Sequence, residues 1–148
     1  MITHELEIAI NRPVEVVFAY LTDMTTYTKW QSGLAEYRQT SAGPLAVGST
    51  GIAVRTVMGQ RDESTWQVTE LIPDSTYTVK STSGPLAYEI CNRLQPTDGG
   101  TKVHVSFQAQ PTGLLKIAEP VLAGTIKRDF TEGYQHLKAL LESEQVHA

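Results

Sequence analysis

Four histidines, one cysteine and a scatter of tyrosines, threonines and tryptophans are the residues of this chain best suited to chemistry. Histidine is the first place to look for proton transfer near neutral pH. His104 alternates out of phase with Val103 and Val105, so it is expected to face solvent. His136 sits beside an apolar helical stripe, on the expected wet side, and His147 belongs to the terminal tail. His4 alone shares parity with Leu6 and Ile8, and reads as an exposed strand-end histidine. Cys91 is out of phase with Tyr88 and Ile90, which reads as a resting thiol rather than a nucleophile. Glu70 shares parity with Trp66 and Val68 but falls near a strand end, and Arg55 falls on the outward parity of its strand. The sequence has no Cys-x-x-Cys, His-Glu-x-x-His, Gly-x-Ser-x-Gly or phosphate-binding glycine loop; Asp98-Gly99-Gly100 reads as a hairpin turn. No metal, no cofactor and no general base are expected, which favours binding over catalysis.

These residues must be positioned by a chain of 148 residues, 41% hydrophobic and 19% charged. One domain spanning 1–148 is the natural expectation, with enough length for a core without staples. Sixteen acidic against twelve basic residues give a net charge of −4. The basic residues are scattered, with Lys127-Arg128 the longest run, so no nucleic-acid partner is expected. A single cysteine excludes an internal disulfide and fits a cytoplasmic location. The opening Met1–Glu7 has neither a basic nor an apolar leader region, so no signal peptide is expected. The charge-free stretch Pro120–Ile126 in the hydrophobic C-terminal part is far short of the ~20 residues of a membrane span, so no stable membrane insertion is expected.

Leu6, Ile8 and Ile10 alternate with Glu5, Glu7 and Ala9, the period of a half-buried strand. Pro13 opens a helix whose apolar face is Val14, Val17, Phe18 and Leu21, and Asp23 can cap a second short helix running to Trp30. Strands are expected at 34–40, 49–58, 62–71, 76–81, 86–95 and 101–109, separated by Gly-, Pro- and Asp-rich turns. Such short connections favour antiparallel neighbours. Leu115, Leu122, Ile126, Phe130, Tyr134, Leu137 and Leu141 then mark an amphipathic helix of roughly seven turns. Pro120 either kinks that helix or marks where its main part begins. The order is β-α-α-β6-α: an α+β architecture of one curved antiparallel sheet and one long helix to cover it. The alternation leaves no large apolar face that the fold cannot bury.

That order, with its punctuation, resembles the START-like or SRPBCC superfamily, the helix-grip fold of the birch pollen allergen. The nearest branch is that of the polyketide cyclases and dehydrases. The segments that carry the resemblance are Ile10–Asp23, Tyr27–Trp30, Gly43-Pro44 with Val47-Gly48, Val68–Pro73, Gly99–Val105, Gly113–Leu115 and Leu137–Glu142. Together they cover the chain from Leu6 to Glu142, and none is a catalytic signature. The resemblance implies a seven-stranded sheet wrapped around the C-terminal helix with a cavity between them. It implies a small hydrophobic molecule, lipid- or polyketide-like, as the partner, with a homodimer left possible. It leaves open a carrier, a polyketide cyclase or dehydrase, and a protein-interaction module, because fold does not choose among functions.

Alternation proposes which residues face such a cavity. Ile52, Val54, Thr56 and Met58 form one row; Ser64, Trp66 and Val68 a second; Leu86, Tyr88, Ile90, Asn92 and Leu94 a third. Tyr77 with Val79, and Val103 with Val105 and Phe107, complete the sheet, while 34–40 gives no clear parity. The expected lining is Trp30, Val54, Thr56, Trp66, Tyr77, Tyr88, Asn92, Phe107, Leu115, Leu122 and Ile126. An apolar wall carrying a few hydroxyls and an amide is the usual make-up of a small-molecule pocket.

Overall fold

Strand β1 (Ile2–Ile10) leads through Asn11 and Arg12 to Pro13, whose carbonyl accepts from the amides of Val16 and Val17 and so starts helix α1 (Val14–Leu21). The computed structural model describes residues 1–57 and 59–143; Met58 and His147 lie outside the described residues. Asp23 accepts from the Thr25 amide and caps a 3-10 turn, Met24–Thr26, which runs directly into α2 (Tyr27–Trp30). Six further strands follow: β2 (Leu34–Gln39), β3 (Thr50–Val57), β4 (Gln60–Ile72), β5 (Thr76–Ser83), β6 (Leu86–Thr97) and β7 (Gly100–Pro111). A single-turn helix α3 (Leu114–Ile117) precedes the long α4 (Glu119–Glu142). Pro120 stands in the first turn of α4, where its missing N–H costs nothing, so it marks the start of the main helix and introduces no kink.

The seven strands form one antiparallel sheet in the order β1-β7-β6-β5-β4-β3-β2. It is curved and open, and it grips α4, the arrangement that the resemblance implies. Side chains facing the helix alternate on β1, β5, β6 and β7 as their hydrophobic parity predicts, with Leu6 opposite Val105, Ile8 opposite Val103, Tyr77 opposite Asn92 and Ile90 opposite Phe107. Three strands depart from the expected pattern, and on β2 the pairing shifts between Leu34 and Glu36. On β4 the pairing slips between Val68 and Glu70, so Leu71 joins Tyr77 on the inner face and Glu70 turns outward to accept from the Thr78 hydroxyl. On β3 the parity is inverted, for a reason that bears on the site.

Two apolar clusters divide the space under the sheet. The larger is packed with Tyr27, Trp30, Trp66, Tyr134, Leu137 and Leu141 among others. The smaller centres on Ile2, Phe107, Ala109 and Leu122, with Leu86, Tyr88, Leu115, Ile126 and Phe130 only half buried around it. Half-buried apolar side chains on the concave side of a sheet mark a space that the protein does not fill itself. Gly133 lets α4 settle against α2, since a Cβ there would lie 3.1 Å from the Trp30 carbonyl oxygen. Among the described residues, no helix is long and apolar enough to cross a membrane. The alternation does not bury every apolar face: Leu114, Ile117 and Val121, spaced along one side of α3 and the start of α4, are 84%, 81% and 65% exposed.

Candidate functional site

The cavity lies between the sheet and the first half of α4 and has a volume of about 160 Å³. Its apolar walls are Trp30 from α2, Leu86, Tyr88 and Ile90 from β6, Phe107 from β7, and Leu122, Ile126 and Phe130 from α4. A volume near 150 Å³ suffices for a benzene-sized guest, so this space has the size of one ring. Its polar edge comprises Gln31, Ser32, Arg55, Asp62, Thr125 and Asp129. A second chamber of about 30 Å³ lies deeper and shares Trp30, Gln31, Arg55, Tyr88, Ile90 and Tyr134 with the first. Tyr27, Tyr37, Tyr77 and Asn92 complete its polar walls.

The largest correction to the sequence reading concerns β3. Gly51 pairs with Trp66, Ala53 with Ser64, and Arg55 with Asp62, and directly opposed residues share a face. The inner row is therefore Gly51, Ala53, Arg55 and Val57, and the row of Ile52, Val54 and Thr56 looks outward. The cause is the aromatic layer above the strand. The Trp66 indole stacks on Tyr37 with ring centres 5.0 Å apart and planes 9° from parallel, and it lies over Gly51. Only the smallest residues fit beneath it, so the hydrophobic row of β3 is on the wrong side to be core. Val54 is buried but is in register with Glu36 and Glu63, away from the cavity. Thr56 reaches the rim, yet it is in register with Arg61 on the outer face and its side chain is exposed.

The other predicted positions divide among three places. Trp30, Tyr88, Phe107, Leu122 and Ile126 line the larger cavity. Tyr77 and Asn92 line the inner chamber. Trp66 and Leu115 line neither: Trp66 is a wholly buried core residue, and Leu115 packs on the smaller cluster. Tyr37, on the strand whose parity alternation left unassigned, emerges on the inner face opposite Ala53 and stacks on Tyr27 as well as Trp66.

Arg55 and Asp62 are the residues that strand parity missed. Arg55 points inward and donates from Nη1 to Gln31 Oε1 at 3.0 Å. Partial burial raises the Asp62 carboxyl above its ordinary value, with the Arg55 charge opposing. The available signal was Gly51 and Ala53: two tiny residues at i and i+2 of a strand indicate something bulky above them, and so identify the inner row.

Inside the chamber the hydroxyls are crowded and buried. Tyr27 donates to the Leu21 carbonyl at 2.7 Å, Tyr134 donates to Asn92 Oδ1, and Asn92 Nδ2 donates to the Tyr77 carbonyl at 3.3 Å. Burial pushes the Tyr77 hydroxyl up to about 12, with the neighbouring Tyr27 hydroxyl opposing and Tyr88 adding to the rise. Burial also raises Tyr27, Tyr37 and Tyr134, so all four are neutral phenols at physiological pH.

His4 stands apart from this space. It is on the inner face of β1, but its Nε2 hydrogen-bonds with Thr131 Oγ1 at 3.1 Å and its ring meets Phe130 edge-on. Desolvation and then the Lys127 charge lower it below the ordinary histidine value. His104 lies between Glu5 and Glu7 on the outer face, and His136 is exposed.

The chain matches the family model described as polyketide cyclase / dehydrase and lipid transport over residues 1–142. No curated protein sequence is similar enough to match it. Among solved structures, TTHA0849 from Thermus thermophilus is 14% identical with a TM-score of 0.81, covering 94% of this chain and 96% of that one. Ara h 8.0201 is 15% identical with a TM-score of 0.72, covering 94% and 96% of the two chains. The di-domain ARO/CYC StfQ from the steffimycin biosynthetic pathway is 14% identical with a TM-score of 0.74; the match covers 95% of this chain and 51% of StfQ. At these identities the likeness is one of fold.

Proposed function

The chain belongs to the polyketide cyclase / dehydrase and lipid transport family, and from that premise we propose that it binds a small hydrophobic molecule between its sheet and α4. The observation that carries this reading is the cavity of about 160 Å³, walled by Trp30, Phe107, Leu122, Ile126 and Phe130 and edged with polar groups on one side. Apolar walls hold the body of a ligand by burial at ~25 cal/mol per Å², and the polar edge sets its orientation. The volume favours a ring-sized body, such as the terminal ring of a polyketide, over a whole acyl chain.

Filling the space tests the reading. Ile126 is half buried and lines the cavity, so Ile126→Trp places an indole where the ligand would sit. Calorimetric titration with benzene-sized aromatics is expected to show binding to the wild type and at least a ~10-fold loss in the variant, a change of ~1.4 kcal/mol. Circular dichroism should show the fold retained. Equal affinities for the two proteins would remove the cavity as the binding place.

Asp62 favours a second reading, a cyclase- or dehydrase-type enzyme acting in the same cavity. A carboxyl raised by partial burial, on the rim of an apolar space and beside an arginine, has the make-up of a general base. It would remove a proton from the carbon next to a bound carbonyl, the electron pair moving to the carbonyl oxygen. The test is deuterium exchange at the α-carbon of acetophenone in heavy water. Acceleration by the wild type that Asp62→Asn abolishes would support catalysis. An exchange rate no faster than buffer would leave binding alone.

A further inference from the structure

We propose that the inner chamber is an oxygen subsite, receiving the carbonyl or phenolic oxygen of a ring-shaped ligand whose hydrocarbon body fills the outer cavity. This rests on the binding reading above and specifies the ligand's chemistry. The chamber measures about 30 Å³, against about 160 Å³ for the outer cavity, so the ring is assigned to the outer space and the oxygen to the chamber. It is continuous with the outer cavity through Trp30, Arg55, Tyr88, Ile90 and Tyr134, which line both.

Several donors that line the chamber are already engaged. Tyr27 directs its hydroxyl proton to Leu21, Tyr134 to Asn92, and Asn92 donates to the Tyr77 carbonyl. Arg55 directs Nη1 to Gln31. Among the described residues, two buried hydroxyls lack such a partner. The hydroxyls of Tyr77 and Tyr88 are both buried, and neither has a hydrogen bond of normal geometry. They are close enough to interact electrostatically. A buried O–H without an acceptor is costly to the fold; the Tyr27 hydroxyl neighbours that of Tyr77 without a hydrogen bond of normal geometry, and Tyr88 has no such bond either. The Arg55 charge beside them favours an electron-rich partner. Two unpaired hydroxyl donors and a cation, lining a chamber that shares its walls with an apolar cavity, match a ketone or phenol oxygen. Trp66 Nε1 is also buried and unpaired, but Trp66 does not line the chamber.

Acetophenone and α-methylstyrene test this, since they have the same shape and differ in C=O against C=CH₂. Both would be titrated against the wild type, Tyr77→Phe and Tyr88→Phe. Tyr88→Phe removes only an unpaired hydroxyl and Tyr77→Phe also a contact with the Tyr27 hydroxyl, so the fold is expected to be retained in both. Acetophenone affinity is expected to fall ~3–10-fold in each variant, and that of α-methylstyrene to stay unchanged. The carbonyl stretch of bound acetophenone should move to lower frequency in the wild type and return in the variants. An unshifted band, or parallel changes for both compounds, would overturn the oxygen subsite and leave the cavity reading standing. Failure of both compounds to bind the wild type would overturn the two together.

Discussion

Gly51→Ala is expected to destabilise the protein by about 3 kcal/mol or more, the upper part of the range for overpacking. A Cβ at this position would lie 2.1 Å from Trp66 Cζ2 and 2.2 Å from the Arg38 carbonyl oxygen. Neither neighbour can yield easily. The indole is wholly buried and stacked on Tyr37, and the carbonyl belongs to the adjacent strand. For a chain of this size the loss corresponds to a melting temperature lower by roughly 6–12 °C. Thermal denaturation followed by circular dichroism measures it. Adding Trp66→Leu to the alanine variant should recover only part of the loss, because the clash with the backbone persists. A melting temperature unchanged by Gly51→Ala would mean that Trp66 does not lie over β3, and the inner row of that strand would need to be reassigned.

Leu122→Ala is expected to cost ~2–5 kcal/mol and to enlarge the cavity at the same time. Leu122 is wholly buried, belongs to the smaller apolar cluster, and also forms part of the cavity wall. Truncating it removes contacts with the cluster and opens the space toward Phe107. Chemical denaturation should show the loss of stability, and bicyclic aromatics should gain affinity relative to single rings. An effect below about 1 kcal/mol, toward the exposed-site range, would remove Leu122 from the packed stripe of α4.

The order of elements, the places where they stop and the face that most of them bury are legible in the residues alone, because these are local properties. Period-2 alternation in Leu6, Ile8 and Ile10 and in Val103, Val105 and Phe107 reports one buried face. Asp23 caps the turn into α2, and Pro120 starts α4, because each acts on backbone groups within a few residues of itself.

The inner face of β3 and the contents of the chamber were set by contacts between distant parts of the chain. The alternation of Ile52, Val54 and Thr56 is a sound local pattern, yet Trp66 and Tyr37 cover the opposite row and admit only Gly51 and Ala53 beneath them. Arg55 and Asp62 thereby face inward, where their charge matters. The slip in pairing after Val68 likewise turned Glu70 out, because a bulge changes which face a residue joins without altering the residue sequence around it. The hydroxyl of Tyr134 meets Asn92 across 42 positions of chain. No local pattern carries that distance: which donors are left without an acceptor depends on every partner that the folded chain brings to one place.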